Sequence, residues 1–353
     1  MGAKGSKNTL KGIIIVLAVL LIAGAAAGYA MFNGGIQAVS DESEEVVVTI
    51  ENGSGYYQII DTLDNAGLIK NITMAKVYVK VFAPENLQAN TYVLDRNMDL
   101  ETMLNIISTG DFQYLLKTKF TIIEGATIPE AAAGIADALG FDKNEVLAKW
   151  ADRAFLQELI GEYWFLGEEI LDGQILYPLE GYLYPETYFV VEQEPTIESI
   201  TRLCLGLMNE KLTPYQEKME ALGMNAHEFI TLSSVIQAES LFEEDYKTIA
   251  GVFHNRLEVG MPLQSDITVL YALQEKRVDV TYADLEVNSR YNTYMYAGLP
   301  VGPVCSVQNA ILDACANYEE HEYYYFFATK DGDVLYSKTL AEHNSTVQAN
   351  LWY

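Results

Sequence analysis

The sequence predicts an α+β protein with an N-terminal transmembrane helix, a small βα module and a larger, mainly helical domain that carries a small β-hairpin element. Three observations lead to this prediction. An uninterrupted apolar run fills residues 12–32. Short β-branched segments then alternate with amphipathic helical patterns between residues 46 and 140. Helical periodicity dominates the rest of the chain until a hairpin pattern appears at residues 323–337.

The apolar run is long enough to cross a bilayer, which takes about 20 residues. It is longer than the apolar region of a cleaved signal peptide, about 7 to 15 residues, so the sequence favours a retained anchor. Lysines precede the run at positions 4, 7 and 11, and no basic residue follows it closely. The positive-inside rule therefore predicts a single-pass protein of the cell membrane, with residues 1–11 in the cytoplasm and residues 12–32 in the bilayer.

The part of the chain predicted to lie outside is strongly acidic. The whole chain has a net charge of −27, and beyond residue 40 it carries 19 basic against 49 acidic residues. Such a polyanion is expected to avoid nucleic acid and anionic lipid headgroups. Residues 33–45, small, polar and acidic, predict a flexible linker off the membrane.

A strand, turn and helix pattern occurs twice after this linker. Its first copy has a strand at 46–50, a helix ending at Gly67 and further helices at 73–82 and 100–107. A second strand at 120–123 and a helix at 128–139 resemble a weak copy of the first pair. Such a unit could be a LysM-like module that binds glycan or a spacer that packs on the next domain. Pattern alone favours the spacer, because a βα unit carries no chemistry by itself.

The segment 179–189 (LEGYLYPETYF) fits neither a regular strand nor a helix. Its Glu180, Tyr182 and Glu186 could form a sugar-binding wall, since aromatic rings pack on pyranose faces and carboxylates accept hydroxyl protons. The alternative is a well-packed tyrosine corner. Residue chemistry leaves both interpretations open.

Glu239 is the candidate general acid. Asn225 and Glu228 form a predicted capping pair for a helix in which Glu239 shares the apolar face of Leu232, seven residues earlier. A carboxylate buried near a helix C-terminus should have a raised pKa, as a general acid requires. The alternative is a solvated Glu at a frayed helix end, which spacing alone favours.

Further polar candidates follow in loops and at helix ends. Asp266, just before a predicted helix at 267–273, is either a helix cap or a pocket acid, and the cap is the favoured interpretation. The remaining candidates offer amide, hydroxyl or aromatic groups for binding a substrate. They are Asn255, Gln264, Ser265, Asn292 and Tyr294.

The cysteines and histidines predict no metal and no cofactor. Cys204, Cys305 and Cys315 fit no metal-site spacing and are interpreted as buried free thiols, although whether Cys305 and Cys315 pair is left open. The four histidines lack the close helical spacing of a metal site. No phosphate loop, dinucleotide fingerprint or Gly-x-Ser-x-Gly elbow is present.

Five motifs in one order behind a single apolar span resemble the YceG-like family of endolytic murein transglycosylases. They are LEGYLYPETY, SSVIQAES, AGVFHNRLEVGMPLQSD, YNTY with GLPVGP, and SKTLAEHN. The resemblance runs from about Val46 to the end of the chain. It implies a LysM-like module at 46–116, a catalytic domain at 117–353 and Glu239 as the catalytic acid.

The implied reaction needs one carboxyl group. Glu239 would protonate the oxygen between MurNAc and GlcNAc and then accept the proton of the MurNAc C6 hydroxyl, leaving 1,6-anhydroMurNAc ends. The implied partners are nascent peptidoglycan glycan strands and the cytoplasmic membrane, with cell-wall synthases as candidate protein partners.

The chain departs from the family pattern at two places. Gln237 stands where members commonly carry a second Glu, and residues 305–308 replace a frequent Asn-Pro-Gly, which leaves the shape of that loop open. Two other functions are therefore kept. One is a non-catalytic peptidoglycan-binding or division scaffold, and the other is a two-carboxylate muramidase using Glu180, Glu186 or Asp266.

Overall fold

The computed structural model describes residues 4–82, 84–192, 194–240, 242–277, 279–330 and 332–350. The side chains of residues 4–11, including the lysines on which the predicted orientation depends, lie outside this description. The chain forms two compact units, Met1–Lys117 with Val191–Gln193, and Thr118–Val190 with Glu194–Tyr353. Each unit is described by itself.

The first unit begins with a long apolar helix, α1 (Lys4–Gly35). Its stretch Gly12–Gly35 has a mean hydropathy of 2.6 and is long and apolar enough to cross a membrane. The structure thus confirms the predicted apolar helix, and the helix extends three residues beyond the predicted end at residue 32.

The rest of the first unit is a two-stranded antiparallel sheet covered by three helices. Its elements are β1 (Glu45–Ile50), α2 (Tyr56–Asn65), α3 (Ile72–Phe82), β2 (Asn90–Asp95) and α4 (Leu100–Thr109). Val48 of β1 pairs with Tyr92 of β2. Ile60, Leu63 and Leu94 are fully buried in the core between sheet and helices. The sequence patterns found β1 and the helices but missed β2.

Residues 33–45, predicted to be a flexible linker, form backbone hydrogen bonds with the rest of this unit. The Leu100 N–H donates to the Ile36 carbonyl (3.0 Å), and the Val39 and Ser40 N–H groups donate to the Arg96 carbonyl (3.1 Å each). A polar, acidic composition favoured a solvated spacer, but these backbone groups find partners in the turn between β2 and α4.

The second unit contains two further antiparallel strand pairs among ten helices, counted over the described residues. β3 (Thr118–Ile122) pairs with β4 (Glu186–Val190), and β5 (Tyr325–Ala328) pairs with β6 (Val334–Ser337). The helices are α5 (Ile128–Leu139), α6 (Lys143–Trp150), α7 (Arg153–Glu162), α8 (Ile197–Leu212), α9 (Gln216–Leu222), α10 (Ala226–Glu239), α11 (Tyr246–Glu258), α12 (Asp266–Leu273), α13 (Asn309–Ala316) and α14 (Leu340–Asn350).

This architecture confirms the predicted mixture of helices and strands. One local prediction was wrong, because the end of the segment 179–189 forms strand β4. Strand β4 pairs with β3, a partner distant in sequence, and a window around the segment could not reveal it. The three cysteines are free and buried, as predicted.

Helix α10 is enclosed by the second unit. Asn225 caps its first turn: the Asn225 side chain accepts from the Glu228 N–H, and the Glu228 carboxylate accepts from the Asn225 N–H (2.9 Å each). Every residue from 229 to 236 is buried. The Ser234 hydroxyl donates to the Thr231 carbonyl (2.8 Å) and accepts from the Val304 N–H (3.0 Å), so this buried polar side chain is satisfied.

The motifs LEGYLYPETY and GLPVGP contact each other beside helix α10. Gly181, in the segment after β3 and α5 to α7, has a φ of +80°. A Cβ built there would lie 2.4 Å from the Cβ of Pro303 and 3.1 Å from the Ile230 side chain of α10. Only glycine meets both demands, because it tolerates a positive φ and lacks the Cβ.

We expect Gly181→Ala to destabilise the second unit by about 2 to 4 kcal/mol, combining left-handed backbone strain with overpacking. Gly223→Ala is the matched control, since Gly223 also has a positive φ but a Cβ there meets nothing within 4 Å. It should cost only the left-handed backbone strain, about 1 to 2 kcal/mol. The measurement is the thermal unfolding midpoint of each variant, and equal shifts for the two variants would contradict the close packing at Gly181.

Candidate active site

A cavity of about 480 Å³ lies at the C-terminal end of α10. It is bounded by α10, α11, the loop before α12, the loop at Tyr294, strand β5 and helix α14. The described residues that line it are Glu239, Phe253, Arg256, Leu263, Gln264, Ser265, Asp266, Tyr294, Tyr325, Phe326, Phe327, Leu340, His343, Asn344 and Val347. Both acidic side chains in this lining, Glu239 and Asp266, were candidates from the sequence.

Glu239 is the last residue of α10, and its carboxyl group faces the cavity. The Ser265 hydroxyl donates to its Oε1 at 2.5 Å. Burial raises the pKa of Glu239 to about 6, against the opposing effect of the Ser265 hydrogen bond. The negative charge of Asp266 raises this pKa further, and the positive charge of Arg256 lowers it. A carboxyl group with this pKa can release and take up a proton near neutral pH.

Ser265 is held in place by its backbone. Gln264, just before it, has a φ of +50°, a rare conformation for a residue with a side chain. The Gln264 N–H donates to the Thr293 carbonyl (3.2 Å), and the Ser265 N–H donates to the Thr293 hydroxyl (3.0 Å). These bonds hold the strained loop that aims the Ser265 hydroxyl at Glu239, as is common at functional sites.

Asp266 is the first residue of α12, whose N-cap is Ser265. The favoured interpretation of Asp266 as a helix cap was therefore wrong, and its side chain faces the cavity. The Tyr294 hydroxyl donates to Asp266 Oδ1 at 2.6 Å. Burial and this bond raise the pKa of Tyr294, so its phenol stays protonated and can donate.

Arg256 supplies a buried positive charge next to Glu239. Only 7% of the residue is exposed. Its Nε donates to the Tyr324 carbonyl (2.6 Å) and its Nη1 to the Leu263 carbonyl (2.6 Å). The guanidinium also lies 5.1 Å from the centre of the Tyr325 ring. Burial lowers the pKa of Arg256, while the charge on Glu239 acts to raise it.

One wall of the cavity, built from the C-terminal hairpin and helix α14, was not predicted from the sequence. Tyr325 and His343 stack with ring centroids 5.2 Å apart. Burial and the nearby Arg256 lower the pKa of His343, so its ring is neutral at neutral pH. The signal that could have found His343 and Asn344 was the motif SKTLAEHN, in which both stand.

Two predicted substrate-binding residues, Glu180 and Tyr182, are buried away from the cavity, with 1% and 0% of each residue exposed. Glu180 accepts from the Ile128 N–H (3.0 Å) and the Tyr271 hydroxyl (2.9 Å), and burial raises its pKa to about 8. Tyr182 bonds His227 Nδ1 at 2.7 Å. The prediction of a sugar-binding wall is wrong for these two residues, because their polar groups are used inside the fold.

Three other predicted residues also lie outside the described lining of the cavity. The Asn255 amide donates to the carbonyls of His321 (2.8 Å) and Tyr323 (2.9 Å), and Asn292 is fully buried. Glu186 is exposed at the start of β4. Of the ten predicted site residues, the structure therefore brings together Glu239, Gln264, Ser265, Asp266 and Tyr294.

Gln237, two residues before Glu239, also points elsewhere. Its side-chain oxygen accepts from the Gln308 N–H (3.2 Å). The neighbouring loop, whose shape the sequence left open, is bonded through Ser306: its N–H donates to the Ala126 carbonyl (2.8 Å), and its hydroxyl donates to the Ile123 carbonyl (2.9 Å). The loop is thus ordered by the turn after β3.

These features define a mixed helix and strand protein with a half-buried carboxyl group at the end of an enclosed helix, in an open cavity. The chain belongs to the YceG-like family, whose sequence profile matches residues 48–349. It is similar to the endolytic murein transglycosylase of Bacillus subtilis (strain 168), with 34% identity over 86% of this chain and 84% of that protein.

Two further proteins are similar over most of the chain. The endolytic murein transglycosylase of Streptococcus pneumoniae serotype 2 (strain D39 / NCTC 7466) is 32% identical over 94% of this chain and 63% of its own length. The crystal structure of a YceG-like protein from Listeria monocytogenes matches with a TM-score of 0.63 and 35% identity, over 86% of this chain and all of that one.

We expect the Glu239 carboxyl group to titrate with a midpoint near pH 6. Subtracting the infrared spectrum of Glu239→Gln from that of the unsubstituted protein across a pH series isolates its carboxyl band. Asp266→Asn should lower the midpoint, because it removes a negative charge that disfavours the carboxylate. A midpoint near 4.5, the ordinary value, or a rise in Asp266→Asn would contradict the electrostatics of the site.

Proposed function

We propose that this protein is a membrane-anchored lytic transglycosylase that cleaves MurNAc–GlcNAc bonds within nascent peptidoglycan strands and leaves 1,6-anhydroMurNAc ends. The observation that carries the proposal is Glu239, a carboxyl group with a pKa of about 6 in an open cavity. Family membership supports the substrate, since the curated relatives are endolytic murein transglycosylases.

Glu239 acts in two steps in this proposal. As the acid, it gives its proton to the glycosidic oxygen, and the bond from that oxygen to C1 of MurNAc breaks. As the carboxylate, it then takes the proton of the C6 hydroxyl while O6 forms the new bond to C1. No water is consumed, and Glu239 returns to its protonated form. A pKa near 6 suits both steps, because neither protonation state is strongly disfavoured.

The neighbours of Glu239 have matching roles. The Ser265 hydroxyl fixes the orientation of the Glu239 carboxyl group. The charge of Asp266 raises the pKa of this group, and the charge of Arg256 lowers it. Gln264, Asp266 and Tyr294 offer hydrogen bonds to sugar hydroxyl and amide groups. Tyr325 offers an aromatic face for a pyranose ring.

The proposed layout follows from the apolar helix and the two units. Residues 12–32 anchor the chain with residues 1–11 in the cytoplasm, so the chain beyond residue 32 faces the cell wall outside. Residues 46–116 form a LysM-like, glycan-binding module and residues 117–353 the catalytic domain. The length and hydropathy of α1 support the anchor. Cell-wall synthases, which make nascent strands, are candidate partners.

One rival function has an observation in its favour. A two-carboxylate muramidase needs a second carboxylate about 5 to 9.5 Å from the acid, and Asp266 lines the same cavity as Glu239. Glu180 is buried and Glu186 is exposed on β4, and neither is among the described residues of the cavity lining, which speaks against both for this rival. The Gln237 side chain accepts from the Gln308 N–H and is not among the described residues of the cavity lining, which weakens the argument from Gln237 for a non-catalytic scaffold.

The full-length protein in detergent, incubated with uncrosslinked glycan strands, should release fragments whose new MurNAc ends are one water lighter than reducing ends. Glu239→Gln should lower the rate by about 10² to 10⁴-fold, as expected for loss of a general acid. Glu244→Gln is the control, because Glu244 is exposed and outside the cavity lining. Mass spectrometry of the fragments distinguishes the two kinds of end. Reducing ends would show hydrolysis and contradict the transglycosylase proposal.

Cleavage rate should fall as pH rises through about 6, because the protonated form of Glu239 is then lost. Asp266→Asn should move this fall to lower pH, since it removes a charge that raises the pKa of Glu239. It should keep substantial activity near pH 5. If Asp266→Asn instead lost as much activity as Glu239→Gln at every pH, Asp266 would be a second reacting carboxylate.

A further inference from the structure

The anchor helix continues directly into contact with helix α3 of the first unit. Gly35 is buried, and a Cβ built on it would lie 2.8 Å from the Met74 side chain. Three residues earlier, the Phe32 ring stacks on the Tyr78 ring with centroids 6.4 Å apart. Moving backward along α1 thus corresponds to moving forward along α3, so the two helices run antiparallel.

This direction brings the end of α3 beside the apolar span. Phe82 lies eight residues after Met74, which is about 12 Å along a helix. Moving the same distance along α1, from Gly35 toward its N-terminus, reaches the beginning of the last third of the apolar stretch Gly12–Gly35. If that stretch crosses a bilayer, the C-terminal end of α3 lies at the depth of the bilayer's outer boundary.

The end of α3 is also unusually apolar on its exposed surface. Val77 is 43% exposed, Val81 65% and Phe82 58%. Because successive residues of a helix are rotated by 100°, these three side chains lie on either side of Tyr78, whose ring contacts α1. Lys80 is exposed in the same turn, on the side of the helix away from α1, and its long side chain can extend the ammonium group toward headgroup phosphates.

We infer that the segment Val77–Phe82 lies in the interfacial layer of the membrane that α1 crosses, with Val81 and Phe82 inserted at the boundary of headgroups and acyl chains. This inference rests on the proposed anchor. The first unit would then be attached at two points, α1 and the end of α3. No flexible spacer uncouples them, since Ile36, Val39 and Ser40 are bonded to the turn after β2.

Insertion here depends on apolar contact, not on attraction to anionic lipid. Burial raises the pKa of Tyr78, and the carboxylates of Glu101 and Asp99 raise it further, so negative charge lies close to the proposed contact. Amphipathic helices bury their apolar face about 5 to 10 Å into the interface. A bilayer of zwitterionic lipid, without anionic lipid, is therefore expected to be sufficient for insertion of this surface.

The test uses the full-length protein in phosphatidylcholine nanodiscs, with an environment-sensitive fluorophore on a single introduced cysteine and spin-labelled lipid as quencher. Val81→Cys reports the proposed contact. Thr73→Cys is the matched control, exposed on the same helix but about 12 Å further from the span. Leu21→Cys reports the anchor itself. The unsubstituted protein is the blank, because its three cysteines are buried.

The expected result is strong quenching at position 21 and quenching at position 81 about twofold or more above that at position 73. Adding anionic lipid should not increase the signal at position 81. Quenching at 21 with equal, weak signals at 81 and 73 would overturn the interfacial contact and leave the anchor standing. An unquenched label at 21 would overturn the anchor and this inference with it.

Discussion

The enclosure of helix α10 is the constraint on which the second unit depends. Every residue from 229 to 236 is buried, so the helix cannot turn a polar side toward water. Its last residue, Glu239, emerges where the enclosure opens into a cavity. Burial and the carbonyl end of the helix both disfavour a charged carboxylate there. The same packing that stabilises the unit thereby produces a carboxyl group that holds its proton up to about pH 6.

The motif LEGYLYPETY contributes to that enclosure, not to the cavity. Gly181 packs on Pro303 and Ile230, while Glu180 joins the start of α5 to Tyr271 of α12. A carboxyl group buried with a pKa of about 8 is neutral at neutral pH and acts as a hydrogen-bonding group. Glu180 and Tyr182, which would suit sugar binding on a surface, here have their polar groups bonded inside the protein.

Opposite charges of two cavity-lining residues, Arg256 and Asp266, act on Glu239. Arg256 is fixed by carbonyls of the loop before α12 and of the residue before β5, so its position depends on two segments distant in sequence. Asp266 is restrained by Tyr294. The pKa of Glu239 thus reflects burial, the Ser265 hydrogen bond and both charges, since Asp266 raises the pKa and Arg256 lowers it.

The sequence by itself determined the apolar helix and most helix bounds, because these follow from local periodicity and capping. It placed Glu239 on an apolar helix face, but the choice of Glu239 as the acid came from the resemblance to the YceG-like family, because spacing alone favoured a solvated side chain. Gln264, Ser265, Asp266 and Tyr294 were also found, since loop polarity is visible in sequence. Only the tertiary structure separated them from Glu180, Tyr182, Glu186, Asn255 and Asn292. It also added Arg256, Tyr325 and His343, and found β2 and β4. Burial, strand pairing and the approach of a C-terminal helix depend on contacts between distant residues, which no local pattern encodes.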